Sequence, residues 1–450
     1  MDQTTHRPTR TELLRRILRL AAPTSVVSLI QIGGQLAETW LAARQGTEAL
    51  AGWAVVLPFA LLMQMASAGA MGGGVVSAVA RALGAGQREQ AADLVSHAVL
   101  IALAGGALFA VTLALFPYTI FGLIGGPAVA ERAAPYAIWL FGMGAIPVWL
   151  ANTLASVLRG GGRHALASRS LILAGLASPI LSWVLMEPLG QGLKGAGMAV
   201  ALCFSVSAVT MARLVARGEA GFVPRFRARI SGALFHRILA VGLTASMMAA
   251  LANLTTVLVT ARIKPYGTAV VAAYGISARL EFLMIPLAFG IGSALTALVG
   301  RSVGAGDWDT ARRTAWTGVL LTIGVSGLAG GVVTVFPAGF AGLFTRDPAV
   351  LAAAVEALRF IAPACPGFGV GMALYFASIG AARMRGPVLA AFCRIGLAVL
   401  GGGFLADALG MGLRGQFLGV ALGITAYGAV IAASVRPGTW RKGIGRTKVA

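Results

Sequence analysis

Long apolar stretches alternate with short polar segments, most of them basic, along the whole chain. Each apolar stretch has about 20 residues or more, which is enough for a helix to cross the hydrocarbon core of a bilayer. The pattern predicts an all-α polytopic membrane protein with twelve transmembrane helices and no inserted soluble domain. The predicted spans are 18–43, 52–80, 93–117, 133–158, 167–188, 195–216, 236–261, 271–300, 315–338, 353–379, 387–408 and 415–435.

Composition agrees with this class. Of the 450 residues, 58% are hydrophobic and only 11% are charged, whereas a soluble domain carries about 25% charged residues. The net charge of +21 could suggest a nucleic-acid-binding protein, but the basic residues follow the membrane topology. The side with both termini holds 27 lysines and arginines, and the other side holds 8. The positive-inside rule therefore places both termini in the cytoplasm, and no nucleic-acid partner is expected.

Arginine outnumbers lysine 32 to 4, which is typical of a GC-rich bacterial genome. We therefore expect a bacterial inner (cytoplasmic) membrane protein. Cys203, Cys365 and Cys393 lie in apolar segments without CxxC pairing, so neither a disulfide framework nor a metal site is expected.

The chain contains an internal repeat. AVARALGAGQ (78–87) matches LVGRSVGAGD (298–307) at an offset of 220 residues, and the same offset pairs Phe116-Pro117 with Phe336-Pro337. The repeat predicts a duplication with lobes 1–220 and 221–450, joined by a basic linker at 213–237. Six spans per lobe is an even number, so both halves enter the membrane from the same side. Such halves are related by a pseudo-twofold axis along the membrane normal.

A polar stripe runs along the first predicted helix. Its residues are spaced by 4, 3, 4 and 3, which places them on one helical face. They are Thr24, Ser28, Gln31, Gln35 and Glu38. A polar stripe should face protein or a water-filled cavity, because polar groups in lipid are costly. Glu38 is a candidate for cation or proton coupling. The alternative is a carboxylate that reaches the outer interface or pairs with an arginine.

Glu281 is a second intramembrane acid, in the eighth predicted span. It is also a candidate for coupling, and the alternative is a structural ion pair with another helix. Further polar residues in spans could line a substrate cavity or could instead make helix–helix hydrogen bonds. The substrate-cavity candidates are Gln31, Gln35, Asn152, Ser178, Ser182, Asn253, Thr256 and Tyr274.

An ordered set of segments resembles the multidrug and toxic compound extrusion (MATE) family, in its bacterial DinF-like branch. The segments are LAAPTSVVSLIQIGGQLAETWLAARQGTEALAG (20–52), the two GAG elements, LRGGGRHAL (158–166), AAYGISARLEFL (272–283), LFTRDPAV (343–350) and ASIGAARMRGPVLA (377–390). The resemblance implies a secondary transporter, not an enzyme, that exports organic cations or drugs against H⁺ or Na⁺ by alternating access between two lobes. It implies no cofactor beyond the coupling ion.

The resemblance also implies particular site residues. Family members carry a functional acid in the first helix, and Glu38 occupies that position, where aspartate is usual. An Asn-x-x-x-Asp pattern in the fifth helix falls on Ser178 and Ser182 here. The expected partners are small organic cations and membrane lipid, and a monomer is expected.

Two other functions remain open at this point. A flippase for lipid-linked precursors, from the same superfamily, should carry several cations within its spans, whereas only Arg279 is predicted to lie deep. An intramembrane enzyme would need a catalytic constellation, but the four histidines are scattered near span ends and no HExxH motif occurs.

Overall fold

The structure, a computed structural model, describes residues 8–225, 230–438 and 440. Parts of the predicted linker and of the basic termini lie outside the described residues, namely 1–7, 226–229, 439 and 441–450. All regular elements of the described chain are helices. In the first half they are α1 (Arg10–Arg44), α2 (Thr47–Gln64), α3 (Gly72–Gly84), α4 (Arg88–Leu115), α5 (Pro117–Gly125), α6 (Pro127–Ala137), α7 (Ala145–Gly160), α8 (His164–Met186) and α9 (Leu193–Ala216).

The second half repeats this order. Its helices are α10 (Gly232–Ile263), α11 (Thr268–Gly304), α12 (Trp308–Val335), α13 (Pro337–Gly342), α14 (Pro348–Ile361), α15 (Cys365–Ala381), α16 (Arg385–Ile395) and α17 (Gly412–Ser434). The segment Arg385–Ala408 continues α16 as one span, mostly with π-helical turns.

The prediction of a twelve-span, all-α protein is confirmed. Within the described ranges, eleven helices are long and apolar enough to cross a membrane, and one bent pair makes a twelfth span. The bend of 45° separates Pro127–Met143 from Ala145–Gly160, so the predicted span 133–158 is not straight. The first helix starts at Arg10 rather than at 18, because Thr9 and Glu12 form reciprocal side-chain to backbone hydrogen bonds that cap it there.

The repeat is visible helix by helix. α4 and α12 begin and end 220 residues apart, and α5 and α13 begin at Pro117 and Pro337. Both GAG turns place their last glycine at positive φ, +74° for Gly86 and +77° for Gly306. Only glycine adopts that left-handed conformation without a Cβ penalty, which accounts for the repeated motif as a turn.

Matching ion pairs tie the ends of corresponding helices in the two halves. Arg44, the last residue of α1, binds Glu187 at the end of α8 at 2.7 Å. Arg262, near the end of α10, binds Asp407 near the end of the Arg385–Ala408 span. The two pairs therefore join equivalent spans, the first and fifth of each half.

A stretch of π-helix interrupts the second span of the first half. Residues Met65–Met71 are π-helical and join α2 to α3, so that Thr47–Gly84 runs on as one segment. The corresponding span of the second half, α11, is α-helical from Thr268 to Gly304.

The described chain forms two compact units. The first unit is Leu20–Leu243, and the second unit contains the residues up to Arg19 together with those from Thr244 onward. The core of the first unit includes Leu94, Phe121 and Phe141, and that of the second includes Leu280 and Phe417, all fully or almost fully buried. The predicted division into lobes 1–220 and 221–450 stays a prediction.

Candidate functional site

The polar stripe of α1 lies partly inside the first unit. Thr24 and Ser28 are buried, while the three longer side chains nearer the C-terminal end of the helix, Gln31, Gln35 and Glu38, are partly buried. The Thr24 hydroxyl is 3.3 Å from Nδ1 of His164 on α8, and the Ser28 hydroxyl donates to the Thr24 carbonyl at 3.3 Å. The stripe thus begins as a helix–helix contact and ends at a carboxyl group.

Glycines bring α1 close to α8 beside this carboxyl. A Cβ placed on Gly34 would lie 3.6 Å from Cγ of Pro179, and one on Gly175 would lie 2.9 Å from Cγ2 of Ile30. A larger side chain at Gly175 would therefore push the helices apart. Through this close approach, α1 packs against the segment of α8 that carries Ser178 and Ser182.

The surroundings of Glu38 contain hydroxyl groups with unused hydrogen-bonding capacity. Ser178 and Ser182 are 5% and 0% exposed, and the Ser182 hydroxyl has no hydrogen-bond partner among the described residues. Ser178 lies close enough to interact with the Glu38 carboxyl. A buried hydroxyl without a partner is costly, so this small polar site is suited to an added ligand, a proton or a water.

Two further residues of this site were missed in the sequence. Tyr136 on α6 and Cys203 on α9 both lie near enough to Glu38 to interact electrostatically with its carboxylate. Both are buried, with 3% and 8% exposure. Neither position is distinctive in the sequence, since a tyrosine or a cysteine in an apolar run usually indicates packing.

Glu38 carries no ion-pair partner within the part of the chain that the structure describes. Arg44, the nearest basic residue along α1, is bound to Glu187 instead. The alternative interpretation, in which Glu38 pairs with an arginine, is therefore not seen in these residues.

Glu281 has the opposite environment, in the second unit. Its carboxylate binds the guanidinium of Arg394 on α16, and the two side chains are only 17% and 13% exposed. The Arg394 guanidinium also lies 5.9 Å from the centre of the Tyr427 ring. Tyr274, which is 5% exposed, is close to both charges and to Thr256. The ion pair with another helix is thus the arrangement that Glu281 adopts.

The location of two arginines has to be corrected. Arg394 is one of the 27 basic residues that the sequence analysis assigned to the cytoplasmic side, but it is the tenth residue of the span that starts at Arg385 and is engaged with Glu281. Arg279 was expected to be deep, but its side chain is exposed and its guanidinium stacks over Phe344, 4.9 Å from the ring centre. Phe344 lies between α13 and α14, so Arg279 extends toward the helix ends.

Three further cavity candidates, Asn152, Asn253 and Thr256, have hydrogen-bond partners within the protein. The Asn152 amide donates to Oε1 of Gln64 at 3.2 Å and to Oγ of Ser67 at 2.9 Å, and Asn152 is 1% exposed. It therefore fastens α7 to the π-helical stretch, as a helix–helix hydrogen bond. Asn253 is exposed and donates to the carbonyl of Ala249 one turn earlier. Thr256 donates to the carbonyl of Ala252 at 3.4 Å.

Duplicated halves of membrane-spanning helices, with a carboxyl beside a polar helix stripe, are typical of membrane transporters. The sequence model of the MatE family matches residues 23–184 and 244–403, and the chain belongs to this family of transporters.

Similar proteins agree with this assignment. A probable multidrug resistance protein NorM from Xanthomonas campestris pv. campestris is 27% identical over 375 residues, which is 78% of each chain. An FAD transporter of Shewanella oneidensis is 23% identical over 431 residues, covering 92% of this chain and 93% of that one. The solved structure of a MOP superfamily transporter from Pyrococcus furiosus superposes with a TM-score of 0.85 at 22% identity, over 97% of this chain and 98% of that one.

Proposed function

We propose that this chain exports organic cations, including drugs, by antiport against protons, with Glu38 as the coupling carboxyl. The observation that carries the proposal is the contrast between the two intramembrane acids. Glu38 has no cationic partner among the described residues, whereas Glu281 is neutralised by Arg394. A carboxyl without a fixed counter-ion can exchange one cation for another, and a carboxyl held by an arginine cannot do so until the pair opens.

Ionised Glu38 would attract an organic cation by its charge, and protonation would remove that charge and release the cation. A proton and a cationic substrate would then compete for the same group. Such competition is the simplest arrangement that couples their opposite movements as access to the two sides alternates. The hydroxyls of Ser178 and Ser182 would stabilise the ionised carboxylate by donating hydrogen bonds to it.

Proton coupling is proposed ahead of sodium coupling because Na⁺ needs several converging oxygen ligands. Among the described residues, the Ser178 hydroxyl is the oxygen seen to interact with the Glu38 carboxyl, and these two groups are fewer ligands than Na⁺ requires. Glu281 would take part in coupling only in a state in which Arg394 has moved away from it.

The decisive experiment uses purified protein in liposomes. Ethidium movement is followed under an imposed pH gradient or an imposed Na⁺ gradient, for the wild type, Glu38→Gln and Glu48→Gln. Glu48 is a matched control, because its carboxylate is exposed in an ion pair with Arg132 in the same unit. We expect transport with the pH gradient, its loss in Glu38→Gln and its retention in Glu48→Gln.

Wild-type transport by Glu38→Gln would refute the coupling role. Transport with the Na⁺ gradient alone would replace the proton by Na⁺ in the same scheme. No movement of several organic cations with either gradient would refute the substrate class. Two other substrate classes would then be tested in the same vesicles. One is flavin adenine dinucleotide, suggested by the relative named as an FAD transporter. The other is lipid-linked precursors, the substrates of a flippase.

We infer an inner-membrane location with both termini in the cytoplasm, on the charge asymmetry of the connecting segments. Labelling of single cysteines introduced near each end of the chain, with a reagent that does not cross the membrane, tests this orientation in intact cells. Labelling of these cysteines in cells that have not been permeabilised would show that the termini lie outside the cytoplasm and would refute the inferred orientation.

A further inference from the structure

A basic pocket lies between the first turn of α1 and the second and third turns of α12, in the second unit. Its volume is about 200 Å³, and it is lined by Arg10 and Leu13 of α1 and by Arg313, Trp316 and Thr317 of α12. Both helix segments belong to the same compact unit, since the residues up to Arg19 group with those from Thr244 onward. The pocket lies on the side of the molecule where α1 begins, far along the chain from Glu38.

The charge of this pocket is not neutralised by the described residues around it. Arg10 and Arg313 are exposed, and neither is in an ion pair within the described ranges. The nearest acid on α1, Glu12, is engaged with the backbone N–H of Thr9. Asp309 lies one turn before Arg313 and makes no ion pair with it. Two guanidinium groups facing one pocket favour a phosphate-like anion.

The apolar residues next to the pocket distinguish a lipid from a free anion. On α12, Trp316 is 40% exposed and Leu320, one turn further into the span, is 44% exposed. On α1, Leu18 is 49% exposed, two turns beyond Arg10 on the same helical face. Leu13, which is 3% exposed, closes the floor of the pocket. Arginines at the membrane boundary, a tryptophan beside them and leucines beyond match the order of headgroup, interface and acyl chain.

We propose that this pocket binds the headgroup phosphate of an anionic phospholipid, with Arg10 and Arg313 on the phosphate and the acyl chains along Leu18 and Leu320. Basic pockets between membrane helices on the cytoplasmic side are suited to such headgroups. Thr317 contributes shape rather than a hydrogen bond, because its hydroxyl already donates to the Arg313 carbonyl at 2.8 Å. The site is independent of the proposed transport function.

The test measures lipid binding to delipidated protein in detergent by native mass spectrometry. The probes are phosphatidylglycerol, phosphatidylcholine and inorganic phosphate, and the variants are Arg10→Gln, Arg313→Gln and Arg15→Gln. Arg15 is the matched control, since it is exposed on α1 and does not line the pocket. A hydrogen bond between an arginine and a phosphate contributes on the order of tenfold in affinity, so each pocket variant should bind phosphatidylglycerol about tenfold more weakly. Arg15→Gln should bind as the wild type does, because Arg15 does not line the pocket.

Each contrary result would overturn the proposal in its own way. Equal binding of phosphatidylglycerol and phosphatidylcholine would remove the role of headgroup charge. An equal loss in Arg15→Gln would reduce the effect to general surface attraction. Displacement of phosphatidylglycerol by millimolar inorganic phosphate would identify a free-anion site instead.

Discussion

Removal of one partner of the Glu281–Arg394 pair should destabilise the protein more than removal of both. Arg394→Met leaves a carboxylate buried between α11 and α16 without a counter-ion. Truncating one partner of a buried pair costs about 3–5 kcal/mol. Because the two side chains keep 17% and 13% exposure, we expect the lower end, a loss of about 3 kcal/mol in the free energy of unfolding.

The double variant Glu281→Gln, Arg394→Met removes both charges and leaves two neutral side chains of similar size. Replacing a buried ion pair by neutral groups of similar volume is often close to neutral. The double variant should therefore recover most of the loss, about 2 kcal/mol of it.

Denaturant-induced unfolding in mixed micelles measures these free energies. Arg279→Met is the matched control, since Arg279 lies on the same helix α11 as Glu281 but is exposed over Phe344. Its loss should stay below about 1 kcal/mol. Losses of equal size in Arg394→Met and Arg279→Met, or a double variant that is no more stable than Arg394→Met, would refute the argument that an unpaired buried carboxylate causes the loss.

Other substitutions test the remaining features. Asn152→Ala should lower the free energy of unfolding by about 1–3 kcal/mol, because the side chains of Gln64 and Ser67 both lose the donor that they have in a buried site. A loss of less than about 0.5 kcal/mol, close to the error of such measurements, would contradict this prediction. Gly306→Ala should lower the free energy of unfolding by about 1–2 kcal/mol, because φ is +77° at this position. Gly275→Ala is the matched control, since a new Cβ would meet no atom within 4 Å at either position but Gly275 lies in regular helix. The control should be neutral or stabilising. Ser178→Ala should lower the free energy of unfolding by no more than about 1 kcal/mol, because the interaction lost is the one with the Glu38 carboxyl. It should alter the pH at which ethidium transport is half-maximal, and an unchanged transport profile would remove Ser178 from the site.

Much of the fold could be predicted from hydropathy and the repeat. The twelve spans follow from the lengths of the apolar stretches, and the offset of 220 residues follows from pairs such as Phe116-Pro117 and Phe336-Pro337. The two short helices that begin at those prolines were not predicted. The bend at Gly144 and the π-helical stretch could not be predicted. Hydropathy indicates whether a segment is apolar enough to lie in lipid. It carries no information on where the backbone hydrogen bonds change from the α-helical to the π-helical pattern.

The candidate site was accessible only in part. The 3–4 spacing of the polar stripe identified Glu38 as an inward-facing group, and the family pattern indicated Ser178. The pairing of Glu281 with Arg394 joins residues 113 positions apart, so no local pattern could have indicated it. Tyr136 and Cys203 were missed for the same reason, since their proximity to Glu38 depends on how α6 and α9 pack.

The π-helical stretch at Met65–Met71 explains a difference in length between the two halves. Thr47–Gly84 has 38 residues, whereas its counterpart Thr268–Gly304 has 37. A π-helical turn accommodates an additional residue within a helix while the flanking turns continue. The extra residue is therefore absorbed inside the span, and the GAG turn at its end stays in register with its twin. The descent of the two halves from a common ancestor thus includes a one-codon insertion or deletion that the helix tolerated without a new loop.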